Sequence, residues 1–147
     1  MRLSSIACLA LAVALFSGCV GSDRPQLAPV SGVVLLDGAP VEGAAVMFVP
    51  VAGGRPAQGL TDAQGKFQLT TFNDKDGAIL GEHKVGVTKV KVTGVTETAD
   101  GLSGTIDPAN VQETWIVPQK YSQPDTSGLT ANVEKKTPEV KFELSTK

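Results

Sequence analysis

Gln58-Gly59-Leu60-Thr61-Asp62-Ala63-Gln64-Gly65-Lys66-Phe67-Gln68-Leu69-Thr70 is the stretch that decides the fold of this 147-residue chain. Phe67 and Leu69 point to one face, and Lys66, Gln68 and Thr70 to the other, the period of two that a half-buried strand requires. Asp62-Ala63-Gln64-Gly65 reads as a tight connection, because glycine accepts positive φ without a Cβ penalty. Residues 58–61 then form a short edge strand before that turn.

The same period continues on both sides. Residues 30–36 predict a strand that ends at the turn Asp37-Gly38. Ala44, Val46 and Phe48 alternate with Ala45, Met47 and Val49, and Pro50 ends that strand. Residues 72–80 read as a polar loop with Asn73-Asp74-Lys75-Asp76-Gly77 at its tip. A strand follows over 82–92, but its alternation slips: Val85 and Val87 share one parity, Val90 and Val92 the other. Either a bulge near Thr88-Lys89 re-phases it, or one long strand faces two different neighbours. Residues 94–127 are the least regular, with Gly101, Gly104, Pro108, Pro118 and Pro124. Leu129, Ala131 and Val133 form the next strand, and Val140, Phe142 and Leu144 the last, with 134–137 expected to join them as a hairpin. No helical period appears after the first residues. About seven strands with one-sided alternation predict an all-β sandwich.

The N-terminus carries a different signal. Met1-Arg2-Leu3-Ser4-Ser5 is short and positive, residues 6–16 are almost wholly apolar, and Ser17 and Gly18 are small, the order of a secretory leader. The apolar run is about half of the ~20 residues a spanning helix needs. Leu15-Phe16-Ser17-Gly18-Cys19 resembles the lipobox of bacterial lipoproteins, with Phe16 where leucine is usual. The resemblance implies cleavage before Cys19, a diacylglycerol on its thiol and acylation of its freed amine. Each buried methylene contributes ~0.8 kcal/mol, so two or more chains anchor stably where one does not. Residues 1–18 are then a signal peptide, 19–29 a flexible tether of small, polar and proline residues, and 30–147 the folded domain. Cys8 leaves with the leader, so the exported domain has no internal disulfide. Val20 after the cysteine, in place of an aspartate, points to the outer membrane or a periplasm-facing site in double-membraned bacteria.

Composition sets outer limits. Sixteen glycines, nine prolines and few aromatics suit many turns between short strands. The formal charge of −2 gives no basic patch, and so no case for nucleic acid.

Further motifs, in order, resemble the carboxypeptidase regulatory-like domains. Val30-Ser31-Gly32-Val33-Val34 followed by Asp37-Gly38-Ala39-Pro40-Val41-Glu42-Gly43-Ala44, Val46 and Phe48 is similar to their opening. Thr61-Asp62-Ala63-Gln64-Gly65-Lys66-Phe67 resembles their central hairpin, and Gly81-Glu82-His83-Lys84-Val85 the strand after it. Tyr121 and Thr126-Ser127-Gly128-Leu129-Thr130 resemble the closing segment of small secreted planctomycete lipoproteins. The resemblance covers residues 30 to 145 and implies a transthyretin-like (prealbumin-like) sandwich of about seven strands acting as an accessory or surface module rather than a catalyst.

Candidate chemistry is sparse. His83 is the sole histidine and is expected at the surface near a strand end, with Glu82 on the opposite face, so no dyad forms. Gly101-Leu102-Ser103-Gly104-Thr105 lacks the last glycine of a nucleophile elbow. A zinc site needs several His or Cys ligands, so no metal and no cofactor are expected. Asp74, Asp76 and Gly77 hint at a calcium loop. An EF-hand register, however, puts Phe72 and His83 where carboxylates are required, and a solvated turn is the plainer reading. Trp115-Ile116-Val117 is the one apolar cluster of the irregular region. Trp115 is the candidate binding anchor, the alternative being that Trp115 or Tyr121 closes one end of the core. The reading that follows is a lipid-anchored, non-catalytic binding or structural module. It would be held to a membrane through Cys19 and would meet an envelope protein, peptide or glycan. The alternative is an accessory subunit tethered beside an envelope enzyme or transporter.

Overall fold

The structure, a computed structural model, describes residues 24–93, 95–96, 105–106, 112–136 and 139–147. Cys19, the expected leader over residues 1–18, the first part of the expected tether and residues 101–104 lie outside the described residues. No helix among the described residues is long and apolar enough to cross a membrane.

The chain is all-β. In order, its strands are β1 (Leu27–Ala28), β2 (Ser31–Leu36), β3 (Ala39–Pro40), β4 (Ala45–Pro50), β5 (Ala57–Leu60), β6 (Lys66–Gln68) and β7 (Ala78–Ile79). They continue as β8 (Gly81–Thr88), β9 (Val90–Thr93), β10 (Val95–Thr96), β11 (Thr105–Ile106), β12 (Gln112–Trp115), β13 (Leu129–Val133) and β14 (Val140–Leu144). A single turn of 3-10 helix, Gln119–Tyr121, lies between β12 and β13.

Two four-stranded sheets carry the core. One has the order β13-β8-β4-β5, all antiparallel. In the other, β2 takes β14 in parallel on one side and both β3 and β6 in antiparallel on the other. The inner faces meet through aromatic side chains. Phe48 of β4 lies 6.2 Å from Phe67 of β6 and 5.9 Å from Phe142 of β14, with Phe67 and Phe142 6.3 Å apart. Around them, Val34, Val46, Leu69, Val85, Val87 and Leu144 are buried, supplied by the apolar parity of their strands.

Local chemistry fixes the turns and approaches. Asp37 and Gly38 both take positive φ, 49° and 86°, between Leu36 and its partner Ala39. That is the two-residue hairpin geometry Asp-Gly favours. At Gly32 a Cβ would strike the Val140 carbonyl and come within 2.5 Å of the Phe67 ring, so only glycine lets β14 and Phe67 close on β2. The buried Thr61 hydroxyl accepts from the Ala44 N–H at 2.7 Å and donates to the Val41 carbonyl, satisfying the loop between β3 and β4.

Several sequence expectations change. β13 and β14 are not the two arms of the expected hairpin: β13 pairs with β8 and β14 with β2, so the two strands belong to different sheets. Both strands alternate identically whichever sheet receives them, so period alone does not distinguish the two cases. Part of the segment 19–29 expected as a tether belongs to the fold, because Leu27–Ala28 pairs with Ala78–Ile79 and Ala28 is buried. The same pairing turns the end of the expected 72–80 loop into β7. The slip in alternation is a change of neighbour. β8 lies between β4 and β13, whereas β9 pairs with β12, and Lys89 between them accepts from the N–H groups of Ile116 and Val117. Fourteen strands among the described residues replace about seven, because several are two-residue pairings too short to show a period.

Phe48→Ala should lower the unfolding free energy by about 3–5 kcal/mol, as expected when an aromatic core side chain leaves a cavity. Thr61→Val should cost about 1–3 kcal/mol by stranding the Ala44 N–H and Val41 carbonyl. Urea denaturation of each variant checks both.

Candidate functional site

A groove of about 670 Å³ opens on the outer surface where β5, β6 and β2 come together. β5 and β6 are the arms of the hairpin around Asp62–Gly65, and their pairing is incomplete. Gln58 and Thr70 exchange both backbone hydrogen bonds, at 2.9 and 2.8 Å. At the turn, the Asp62 N–H donates to the Lys66 carbonyl at 2.8 Å, and Asp62 Oδ1 accepts from the N–H groups of Lys66 and Gln64. Between those closed ends the register sets Leu60 opposite Gln68, where no β-bridge forms, and antiparallel alternation turns their N–H and C=O groups toward each other rather than toward β4 and β2. Gly59 forms part of its lining, and a Cβ there would lie 2.6 Å from the Gln68 carbonyl.

The groove's side chains are polar and carry both signs. Lys66 and Gln68 come from the outward face of β6, Gln58 from β5, and Ser31 and Glu139 from β2 and the approach to β14. Asp74 and Lys75 overhang it from the next loop. Among the described residues, the side chains of Lys66, Lys75, Asp74 and Glu139 form no ion pair or hydrogen bond with one another or with other groups. The loop that presents Asp74 and Lys75 is held by Asp76. Its carboxylate accepts from the backbone N–H groups of Thr71, Phe72 and Asn73 at 2.7, 3.0 and 2.7 Å. Desolvation opposes ionisation of Asp76, but these N–H groups outweigh it and hold the carboxyl below its ordinary range. Asp76 is thereby committed to the backbone and is a loop clasp, not a cation ligand. No group of three or more His, Cys, Asp or Glu side chains among the described residues could hold a metal ion.

Trp115 lies elsewhere. It pairs with Val90 across the β9–β12 ribbon and is 38% exposed, beside Ile116 at 39% and near Val92. Val117 turns inward and is fully buried. The aromatic that packs on the core from this region is Tyr121, whose hydroxyl accepts from the Ser145 N–H at 3.2 Å and lies 3.4 Å from the Ser145 carbonyl. Trp115 and Ile116 therefore form an apolar ridge separate from the groove.

His83 overturns its expected place. It is 0% exposed, in the centre strand β8 between Pro50 of β4 and Ala131 of β13, with its ring 5.8 Å from Phe48. The surface assignment rested on its polarity and its position near a strand start. It shares the parity of Val85 and Val87, and that parity faces the core. Nδ1 lies 3.0 Å from the Gly81 carbonyl, which only accepts, so Nδ1 carries the proton. Nε2 is buried with no partner. Burial lowers the imidazole pKa below 6.5 despite the Gly81 bond, which acts in the opposite direction. Enclosed this way, His83 has no route to a substrate.

The groove was not legible beforehand: its residues look like solvated strand faces, and only the failed pairing of Leu60 with Gln68 marks them. In comparisons with known proteins, no family model, curated protein or solved structure matches this chain.

The sign of the His83 effect follows from its lowered pKa. Below about pH 6.5 the unfolded chain binds a proton that the folded chain resists, so stability is full above that pH and falls as the solution is acidified. The decline should approach about 1.4 kcal/mol per pH unit before the folded form protonates. Urea midpoints between pH 7.5 and 5.0 should show this slope in the wild type and a flatter one in His83→Gln.

Proposed function

We propose that this chain is a lipid-anchored envelope lipoprotein whose β-sandwich, transthyretin-like in architecture, is a non-catalytic binding module. The observation that carries this reading is the groove where β5, β6 and β2 meet, a concavity lined by amide side chains and by charged side chains of both signs. Charged and amide groups held this way are complementary to a ligand and have no nucleophile–base geometry among them. The architecture draws support from the two facing sheets, and the anchor from the lipobox-like residues ending in Cys19. The membrane contact is then the lipid, and the domain meets an envelope protein, peptide or glycan.

The second reading, an accessory subunit beside an envelope enzyme or transporter, is favoured by the ridge of Trp115 and Ile116. Exposed aromatics of this kind are the usual anchors of protein interfaces.

Expression of the full chain in a bacterium with labelled palmitate should give an acylated, processed protein, and Cys19→Ser should lose the label and retain the leader. A Cys19→Ser protein that still incorporates palmitate would end the anchor proposal. Cross-linking in membranes separates the two readings. A stoichiometric protein complex lost in Trp115→Ala supports the accessory subunit, whereas saturable binding of a soluble ligand, unchanged in that variant, supports the module.

A further inference from the structure

The groove's lining restricts what it can hold. Its floor lacks the apolar anchor pocket that a peptide side chain would fill, since Phe67 is turned inward at 2% exposure. It also lacks a free sheet edge long enough to add a strand. The β5–β6 hairpin is closed at Gln58–Thr70 and at Asp62–Lys66, which leaves only the single Leu60–Gln68 step between them. An added strand needs a continuous row of free N–H and C=O groups. A simple anion or cation would satisfy only half of the charged lining, because lysines and carboxylates share the cleft.

What the groove does offer is donors and acceptors intermixed at short range. Gln58 and Gln68 each carry both on one amide, and Ser31 carries both on one hydroxyl. Asp74 and Glu139 add strong acceptors, and Lys66 and Lys75 strong donors. The chemical group matching such a surface is the alcohol hydroxyl, which donates one hydrogen bond and accepts others at the same atom. Leu60, 67% exposed at the rim, supplies an apolar contact for the C–H face of a ring.

We propose that the open groove at the Leu60–Gln68 split is a saccharide-binding site that takes a neutral, hydroxyl-rich glycan segment. Gln58, Gln68, Asp74, Glu139, Lys66 and Lys75 hydrogen-bond to its hydroxyls. This deepens the binding-module reading and rests on it. The volume of about 670 Å³ sits within the usual ~300–1,000 Å³ of ligand sites. Because the groove is open along its length, it accepts an internal stretch of a chain as readily as an end.

The test is a printed array of bacterial and plant oligosaccharides probed with the full chain in detergent, followed by calorimetric titration with the best-bound oligosaccharide. The expected result is saturable binding to neutral oligosaccharides. Gln68→Ala and Glu139→Ala, both at exposed positions, should each weaken it about tenfold or more, the loss of one charge-assisted or amide hydrogen bond. Trp115→Ala should bind like the wild type, and melting curves of all three variants confirm that they are folded. A blank array overturns the proposal, as does binding confined to zwitterionic or charged lipid headgroups, or binding that both groove variants retain. If the array is blank while a Trp115-dependent protein complex still forms, the glycan assignment fails and the envelope-interaction reading stands. If neither ligand nor complex is found, the binding-module reading fails with it.

Discussion

The contact on which the rest depends is the meeting of Phe48 with Phe67 and Phe142 across the two sheets. With no cysteine after position 19, nothing covalent holds the described domain together. Aromatics are scarce in this chain, and three of its five phenylalanines are spent on one cluster. Each ring brings a large buried area, and the tilted and edge-on arrangements add about 0.5–1.5 kcal/mol per pair beyond that area. The cluster also explains two unusual neighbours. Gly32 must lack a side chain so that Phe67 can lie against β2, and His83 must be neutral because its ring shares the apolar enclosure of Phe48.

That enclosure changes what the lone histidine means. A solvent-facing histidine would titrate near its ordinary value and stand ready for proton transfer. Here the ring is shielded on every side, one nitrogen is bound to Gly81, and the other has no partner. An unpartnered buried acceptor is a cost to the fold, of the order of 1–3 kcal/mol. Its tolerance shows that the ring's bulk against Phe48 outweighs its polarity. The residue acts as a packing element, and its chemistry is confined to making the core sensitive to acid.

How much was legible follows from which forces are local. The strands around Phe48, Phe67, Val85, Leu129 and Phe142 could be read because a one-sided core imposes a period of two. The turn at Asp62–Gly65 could be read because its residues are constrained within a few positions. Partner choice was not local. β14 alternates identically whether it folds back on β13 or crosses to lie parallel to β2, and only the shared core decides between them. His83 shows the same limit. Its parity matched Val85 and Val87, and polarity argued against the correct face. Of the two residues singled out for function, Trp115 is placed on an exposed ridge, while Cys19 lies outside the described residues. The groove escaped because it depends on how β5, β6 and β2 are brought together, which no residue type announces.

The positions of the N-terminal entry and the ridge give the molecule a polarity. The N-terminal segment joins the fold beside the start of β8: Leu27 pairs with Ile79, and the Leu80 N–H donates to the Gln26 carbonyl. The ridge begins past the other end of β8, where Lys89 receives the N–H groups of Ile116 and Val117. Eight residues of strand separate these points, about 25 Å at ~3.3 Å per residue. The groove runs between the two: Ser31 follows the entry of the chain by a few residues, while Leu60 is in register with Ala45 and, through it, with Thr88 at the ridge end of β8. A lipid on Cys19 would leave seven residues, 20–26, to reach that point, at most ~25 Å of extended chain. Such an anchor would hold the Gln26–Leu80 end of β8 toward the membrane and leave Trp115 at the opposite end. Two chemically different surfaces, a polar groove alongside the β5–β6 hairpin and an apolar ridge remote from the chain's entry, leave the aromatic contact free whatever occupies the groove.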